Sequence, residues 1–392
     1  MNAILQFLHP LIDPASIPFL LWTTLAKSIV LLCIVLAMVS YTVYAERRVS
    51  SLIQDRLGPN RTGFPLSLFG NLFGIKWRDW SPILGGLGQP IADAVKLLLK
   101  EEFTPAFVKK FYFWIAPGLG IGAAIVSLAV IPFGSKLWGV DMVIANIDIG
   151  PLFVFAISSL GVYGIVLAGW SSNSKFPFLG AVRSTSQLIS YELALGLSVV
   201  PLFMIVGKLN LVDLVSYQVE NGWMILPGIT AAKPFLPHSW QGYLLIIPIL
   251  ISFIVFTISM FAETNRLPFD LPEGETELVG GYHTEYSSLK FALFFLGEYT
   301  AMITGSAFIV TLFFGAWHCP WIPDGSAGVF WGLVNIGVFF AKVIAFLLFF
   351  IAIRWTLPRF RYDQLMKLGW IYFFEIALIN IFLTALILAF VP

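Results

Sequence analysis

The chain has 392 residues, of which 58% are apolar and only 11% are charged, compared with about 25% charged in an average soluble domain. The formal net charge of +1 provides no basic field for nucleic acid. The two cysteines, Cys33 and Cys319, are too few for a disulfide framework or an iron-sulfur cluster. We therefore expect a lipid-embedded protein that binds no nucleic acid and no metal, and whose redox centres lie on other chains.

Apolar windows long enough to cross a bilayer predict eight transmembrane helices, because about 20 apolar residues span the hydrocarbon core. The windows are 17–45, 112–133, 150–171, 178–206, 241–263, 289–316, 329–354 and 368–391. The sequence shows no internal repeat. The predicted fold class is an all-α polytopic membrane protein with a single membrane domain over residues 1–392.

The basic residues of the connections predict the orientation of the helices. The odd-numbered connections hold sixteen Lys and Arg residues and the even-numbered ones hold three. Because cytoplasmic loops are enriched in Lys and Arg, this bias places the odd-numbered connections in the cytoplasm and both termini outside. The same bias favours a bacterial plasma membrane over a mitochondrial inner membrane.

The long first connection, 46–110, is predicted to hold two amphipathic helices that lie flat at the cytoplasmic interface. Glu46 to Leu57 has its apolar residues on one face, and Gly58 with Pro59 ends the helix. Gln89 to Lys100 begins with a proline and separates an apolar face from a charged one. A further short helix is predicted on the outer side over Leu209 to Val219.

Charged residues inside the predicted spans are the first candidates for function, because an ionised carboxylate at the bilayer centre costs about 3 kcal/mol. Glu192, Glu298 and Glu375 lie in such positions, and Lys27 and Lys342 are mid-span cations. Each acid is either simply neutral or paired within the bundle, or a member of a chain of buried titratable groups. Such chains form proton relays, and we favour the relay for Glu192 and Glu298.

The connection 263–288, named here the acidic loop, carries six acids against one arginine. Crowded carboxylates in a low-dielectric site hinder one another's ionisation, so such a loop is expected to exchange protons when a nearby charge changes. A solvated loop is the simpler interpretation, but the many Pro, Gly and apolar residues argue against it. The acids are Glu263, Asp270, Glu273, Glu275, Glu277 and Glu285.

Several motifs follow one another in order along nearly the whole chain. They are AERRV from Ala45, RLGPNRTG from Arg56, QPIADAVKLLLKE from Gln89, GWSSNSK from Gly169, ISYEL from Ile189, FALFFLGEY from Phe291 and RWTLPRFRYDQLM from Arg354. With these motifs and the acidic loop, the chain resembles the family of the membrane-embedded H subunit of respiratory complex I, which mitochondria call subunit 1.

The resemblance implies an eight-helix subunit of a proton-translocating NADH:quinone oxidoreductase, which is a translocase. Members of that family bind no redox cofactor themselves, quinone is the substrate, and FMN and the iron-sulfur clusters lie on partner subunits. The implied partners are the hydrophilic arm that forms the quinone site, the small membrane subunits, the antiporter-like membrane subunits and the lipid bilayer.

The resemblance also implies roles for individual residues. A proton relay is implied for Glu192, Glu263, Glu298, Asp270, Glu273, Glu275, Glu277, Glu285 and Lys342. The quinone passage and its contact with the arm are implied for Arg47, Asp93, Lys96, Arg183, Arg266 and Phe291. The chain departs from the family in an apolar insertion at 64–88 beside the expected quinone entrance. We interpret it as a peripheral lid or a contact with a supernumerary subunit rather than a change in quinone specificity.

Three alternatives remain open at this point. The first is the equivalent subunit of an oxidoreductase fed by ferredoxin, a deazaflavin or hydrogen, which only the arm subunits would distinguish. The second is a stand-alone proton-coupled transporter, for which inverted repeats with broken helices are expected. The third is a structural scaffold, which buried acids argue against because apolar residues would be more stable there.

Overall fold

The computed structural model describes residues 17–59, 62, 86–226, 244–272, 274–323 and 328–390. This part of the chain contains eight helices long and apolar enough to cross a membrane, which confirms the predicted all-α polytopic fold. In chain order, spans 1 to 8 are Phe19–Ile53, Lys110–Val130, Gly150–Ser171, Lys175–Val206, Ile246–Glu263, Ser288–Phe313, Val329–Thr356 and Tyr362–Phe390. Most of the insertion at 64–88 lies outside the described residues.

The first predicted amphipathic helix is not a separate element. Span 1 belongs to one helix of 37 residues, Ile17–Ile53, so the helix predicted from Glu46 is its continuation. No Gly or Pro interrupts the chain between the apolar window and Gly58, and nothing therefore ends the helix where a flat segment was expected. The prediction of a surface helix starting at Glu46 was wrong, although its residues are helical up to Ile53.

The other two short helices agree with the sequence. The surface helix, Gln89–Leu99, begins with a proline in its first turn. The outer helix, Leu211–Asn221, is capped by Asn210, whose side-chain oxygen accepts hydrogen bonds from the backbone N–H of Val212 at 2.8 Å and of Asp213 at 3.4 Å.

Smaller elements were not predicted, because two or three residues give no periodic signal. A β-hairpin pairs Lys136–Leu137 with Val140–Asp141 in antiparallel register. The acidic loop contains a four-residue helix, Glu275–Leu278, and a 3₁₀ turn, Gly281–His283. Span 8 starts as an α-helix at Tyr362–Lys367, passes through a π-helical turn at Leu368–Phe373 and continues as an α-helix over Phe374–Phe390.

Span 6 lies at the centre of the bundle, with 72% of its most apolar window buried, compared with 11% for span 1. Glycines allow its neighbours to approach closely. A Cβ on Gly164 of span 3 would lie 2.9 Å from the backbone of Gly120 in span 2, and one on Gly297 of span 6 would lie 3.2 Å from the backbone N of Ile121. Such contacts bring spans 2, 3 and 6 together around one internal space.

Span 4 anchors both the acidic loop and span 8. The Tyr191 hydroxyl donates to the backbone oxygen of Leu365 at 2.9 Å, and the Tyr191 ring packs edge-on against Phe269 of the loop. A Cβ at Gly180 would lie 2.8 Å from the backbone N of Tyr282, so the loop lies directly on the span 4 helix. The acidic loop is thus a packed part of the fold rather than a solvated connection.

Candidate functional site

A cavity of about 130 Å³ lies between spans 2, 3, 4, 5 and 6. Three of its walls carry carboxylates: Glu192 of span 4, Glu263 at the end of span 5 and Glu298 of span 6. One water molecule needs about 10–15 Å³ of such space, so the cavity has room for several. The remaining walls are mostly glycine, alanine and apolar side chains, which leave the acids as the main polar groups.

The acids of the cavity influence one another. Glu192 is close enough to Glu263 to repel its negative charge, and Asp270 of the acidic loop repels that of Glu298 in the same way. The structure therefore brings together Glu192, Glu263, Glu298 and Asp270, four of the acids that the sequence singled out. They form two repelling pairs, Glu192 with Glu263 and Asp270 with Glu298, and the first three acids line the same cavity.

A second group, named here the buried charge cluster, consists of Glu46, Arg266, Glu298, Tyr299 and Arg354. The Arg266 guanidinium pairs with Glu298 at 2.6 Å and with Glu46 at 3.4 Å, and all three side chains are 10% exposed or less. Arg354 contacts the same Glu46 oxygen that Arg266 does. The Tyr299 hydroxyl donates to the other Glu46 oxygen at 2.5 Å, and its ring lies 4.2 Å from the Arg266 guanidinium carbon.

The sequence did not identify Glu46 and Arg354 as members of the site. Both lie within motifs that carry the family resemblance, AERRV and RWTLPRFRYDQLM. The sequence pattern, however, places Glu46 on a surface helix, where acidic residues are common. The sequence signal was the absence of a helix breaker before Gly58, which extends span 1 and places Glu46 on a membrane helix. Arg266, assigned from the family to the quinone passage, lies at the centre of this cluster.

Two acids of the acidic loop, Asp270 and Glu277, are held by arginines from other segments. Asp270 pairs with Arg359, which follows span 7, at 3.0 Å, and Glu277 pairs with Arg183 of span 4 at 2.7 Å. Glu285 is half-buried. Glu273 and the side chain of Glu275 lie outside the described residues. These two ion pairs thus hold the acidic loop against span 4 and the segment after span 7.

Aromatic side chains of the acidic loop and span 6 surround His283, and one of them, Tyr282, lines the cavity. The imidazole lies 5.2 Å from the ring of Phe291 and 5.1 Å from that of Tyr282, and burial lowers the pKa of His283 to about 4. Burial also raises the pKa of the Tyr286 phenol. Phe291, which the family assigns to the quinone passage, is thus a wall of the loop's aromatic packing.

We expect the acidic loop to open more readily in acid. A loop opened to water binds a proton on His283 near pH 6.5, whereas the closed loop excludes that proton down to about pH 4. The equilibrium constant for closing the loop should therefore fall by up to about tenfold for each pH unit as the pH drops from 6.5 to about 4. Above pH 6.5, His283 should make no contribution. Hydrogen exchange of the loop amides, corrected for intrinsic exchange rates, measures how loop opening depends on pH. The His283→Phe variant should lack the pH dependence that His283 causes. An identical pH profile in the variant would contradict it.

The surface helix is joined to the end of span 1. Arg47 pairs with Asp93 at 2.8 Å, and the Gln89 side-chain amide donates to Asp93 at 2.9 Å. Lys96 is exposed, as are the apolar side chains Ile91, Val95 and Leu98. The structure therefore brings together Arg47 and Asp93 of the predicted quinone passage and leaves Lys96 at the surface beside an uncovered apolar face.

Lys342 lies elsewhere. Its ammonium group donates to the backbone oxygens of Phe314 at 2.7 Å, Ala316 at 2.9 Å and His318 at 2.7 Å, and so caps the far end of span 6. Twelve residues separate Lys342 from Arg354, which is about 18 Å along a helix. The structure thus does not bring Lys342 to the acids of the cavity. Lys27 similarly donates to the backbone oxygens of Asp141 and Val143 at the β-hairpin.

These features define a polytopic helical membrane protein with carboxylates and arginines gathered in its interior. A family model described as NADH dehydrogenase matches residues 26–385, and the chain belongs to this family.

Curated relatives cover nearly the whole chain. An H subunit of NADH-quinone oxidoreductase from Geobacter metallireducens is 44% identical over 93% of this chain and 96% of its own length. The NADH-quinone oxidoreductase H subunit of Leptospira biflexa is 44% identical, with 88% of each chain covered. A protein of Rhodothermus marinus named NADH-quinone oxidoreductase subunit 8 is 42% identical over 94% of this chain and 97% of its own.

Proposed function

We propose that this chain is the H subunit of a proton-translocating NADH:quinone oxidoreductase and that its buried carboxylates couple quinone reduction to proton movement. The observation that carries the proposal is the single cavity into which spans 4, 5 and 6 each contribute one acid. Family membership and the names of the relatives support the enzyme and do not favour a ferredoxin-, deazaflavin- or hydrogen-fed complex or a stand-alone transporter.

The proposed assembly supplies what this chain lacks. FMN and the iron-sulfur clusters belong to partner subunits, quinone is the substrate, and the arm, the small subunits and the antiporter-like subunits surround the chain. The sequence holds only two cysteines, Cys33 and Cys319, which are too few to ligate an iron-sulfur cluster. The proposed location is a bacterial plasma membrane, as the charge bias of the connections predicts.

The acids act as a relay with an electrostatic control point. Water in the cavity would carry a proton between Glu298, Glu263 and Glu192. Arg266 is shared between Glu298 and Glu46, so a change of charge near Arg266 alters how strongly Glu298 holds its proton. Asp270 and Arg359 transmit such a change from the acidic loop, since Asp270 repels Glu298 and pairs with Arg359.

The quinone passage is proposed to run beside the surface helix. Arg47 and Asp93 join this helix to span 1, and Lys96 with the exposed apolar face of the helix is available to the arm or to the quinone tail. Phe291 and Arg183 border the passage from the loop side, while the insertion at 64–88 is proposed as a lid. Lys342 stays a predicted relay member, although its three carbonyl contacts support a capping role for span 6.

The Asp93→Ala variant tests the quinone passage. Loss of the Arg47 pair should free the surface helix and raise the apparent KM for quinone severalfold, with kcat and NADH:ferricyanide activity nearly unchanged, because the redox centres are untouched. Asp213→Ala is the matched control, since Asp213 forms a comparably exposed pair with Lys208 at 3.0 Å on the outer helix. An unchanged KM in Asp93→Ala, or an equal rise in both variants, would count against the passage.

A further inference from the structure

Span 8 presents two opposite faces with the same spacing. The buried face packs against spans 4 and 5 and includes a buried amide, Asn380, which donates to the hydroxyl of Ser252 at 2.9 Å. Its members are Gly369, Phe373, Ala377, Asn380, Thr384 and Ile387, which follow one another at intervals of three or four residues. This face accounts for how span 8 is held in the subunit.

The opposite face of span 8 is exposed, and its residues also follow one another at intervals of three or four. Its members, named here the outer stripe, are Tyr372, Glu375, Ile379, Phe382 and Leu386, all exposed in the isolated chain. Their spacing of three, four, three and four residues is the 3.5-residue repeat with which a helix packs along a neighbouring helix at a shallow angle. Among its members only Glu375 is charged, and a span that simply faced lipid would have no use for an ionisable side chain there.

Glu375 lies deep within this stripe. Lys367 precedes it by eight residues, about 12 Å, and Phe390 follows it by fifteen residues, about 22 Å. The carboxylate thus lies well inside a hydrocarbon core about 30 Å thick. Within the part of the chain that the structure describes, the Glu375 side chain has no hydrogen bond or ion pair. A π-helical turn, a feature common at functional positions, ends two residues before it.

We propose that the outer stripe is covered by a transmembrane helix of a partner subunit that presents a lysine or arginine side chain to Glu375. Lipid tails provide neither a hydrogen bond nor an opposite charge to an acid at this depth, and the amines of lipid headgroups lie at the membrane surface. A basic side chain on an adjacent helix satisfies the charge, and the 3.5-residue repeat provides the apolar contact around it. Glu375 then fixes the register of the two helices, as single polar residues do in helix packing.

Photo-crosslinking in native membranes tests the contact. A benzophenone amino acid replaces Ile379, which is 64% exposed and one turn from Glu375, and in a control replaces Leu333 of span 7, which is 56% exposed. We expect Ile379 to crosslink to a transmembrane segment of another subunit that carries Lys or Arg within one turn of the crosslinked residue. Leu333 should not yield that segment. Crosslinks from Ile379 to lipid alone, or to a segment without a basic residue there, would overturn the proposal.

Charge exchange provides the second measurement. Glu375→Lys should reduce copurification of the crosslinked subunit by about tenfold or more, because two cations then face each other in lipid. Replacing the partner's basic residue by glutamate in the same strain should restore it, and failure to restore it would refute the pairing. Copurification is measured without an activity assay. A negative result for the proton relay would therefore not contradict this helix contact, and a negative result for the helix contact would not contradict the relay.

Discussion

Replacement of both Glu192 and Glu298 by glutamine should lower NADH:quinone reduction and proton uptake together, by about tenfold or more for loss of positioned proton-transfer groups. Glutamine keeps the size of each side chain and one accepting oxygen, but it cannot release or accept a proton at neutral pH. NADH:ferricyanide activity should persist, because ferricyanide takes electrons upstream of this chain. All three activities are measured side by side on membranes of the variant and of the unmodified strain.

The interpretation of this experiment depends on its control. Glu220→Gln changes an exposed acid on the outer helix, far from the cavity, and should leave all three activities unchanged. If the double variant retains full quinone reduction and proton uptake, the carboxylates are tolerated in the bundle without a role in the relay. If ferricyanide activity also disappears, the variant has lost the assembled complex, and the single variants must be compared instead.

The Glu46→Leu variant should largely prevent assembly of a stable complex. Glu46 is the shared partner of Arg266 and Arg354, so its loss leaves Arg266 with Glu298 alone and removes the carboxylate that Arg354 contacts. Removing one partner of a buried pair costs about 3–5 kcal/mol, because the remaining charge is left uncompensated. The measurement is the amount of intact complex on native gels and its midpoint of thermal inactivation.

Two companion variants separate this effect from ordinary loss of a surface charge. Asp363→Leu breaks an exposed pair with Arg361 and should change stability by only about 0–1 kcal/mol. Glu46→Leu combined with Arg354→Leu should be less harmful than the sum of the two single changes, since it removes one unpaired cation. Additive effects in the double variant would show that Glu46 and Arg354 act independently.

The sequence predicted the spans well because a bilayer imposes its thickness directly on the chain. About 20 apolar residues are needed wherever a helix crosses, and this requirement does not depend on which helices are neighbours. The ends were less predictable: span 4 starts at Lys175 rather than 178, and span 1 extends to Ile53 rather than 45. At the end of a span, apolar content no longer determines the last helical residue, because the helix continues until a helix-breaking residue such as Gly or Pro ends it.

The pairing of charges could not be read from the sequence. The acidic loop itself holds one arginine for six acids, but Glu277 pairs with Arg183, 94 residues before it, and Asp270 pairs with Arg359, 89 residues after it. Apolar periodicity identifies which face of a helix is buried, but not which distant side chain it meets. The acids of the cavity were found because each is unusual in its own span, whereas Glu46 was missed because its surroundings looked ordinary.

The buried charge cluster also has a consequence for biosynthesis. Glu46 precedes Arg266 by 220 residues and Arg354 by 308 residues. At a translation rate of about 5–20 residues per second, the first arginine follows Glu46 by roughly 10–45 s, and the second later still. During that interval span 1 has entered the membrane without either cation that will hold its acid. The apolar window 17–45 is long enough to hold span 1 in the membrane by itself, so the contacts that join its Glu46 end to Arg266 and Arg354 form only after the later helices have emerged from the ribosome.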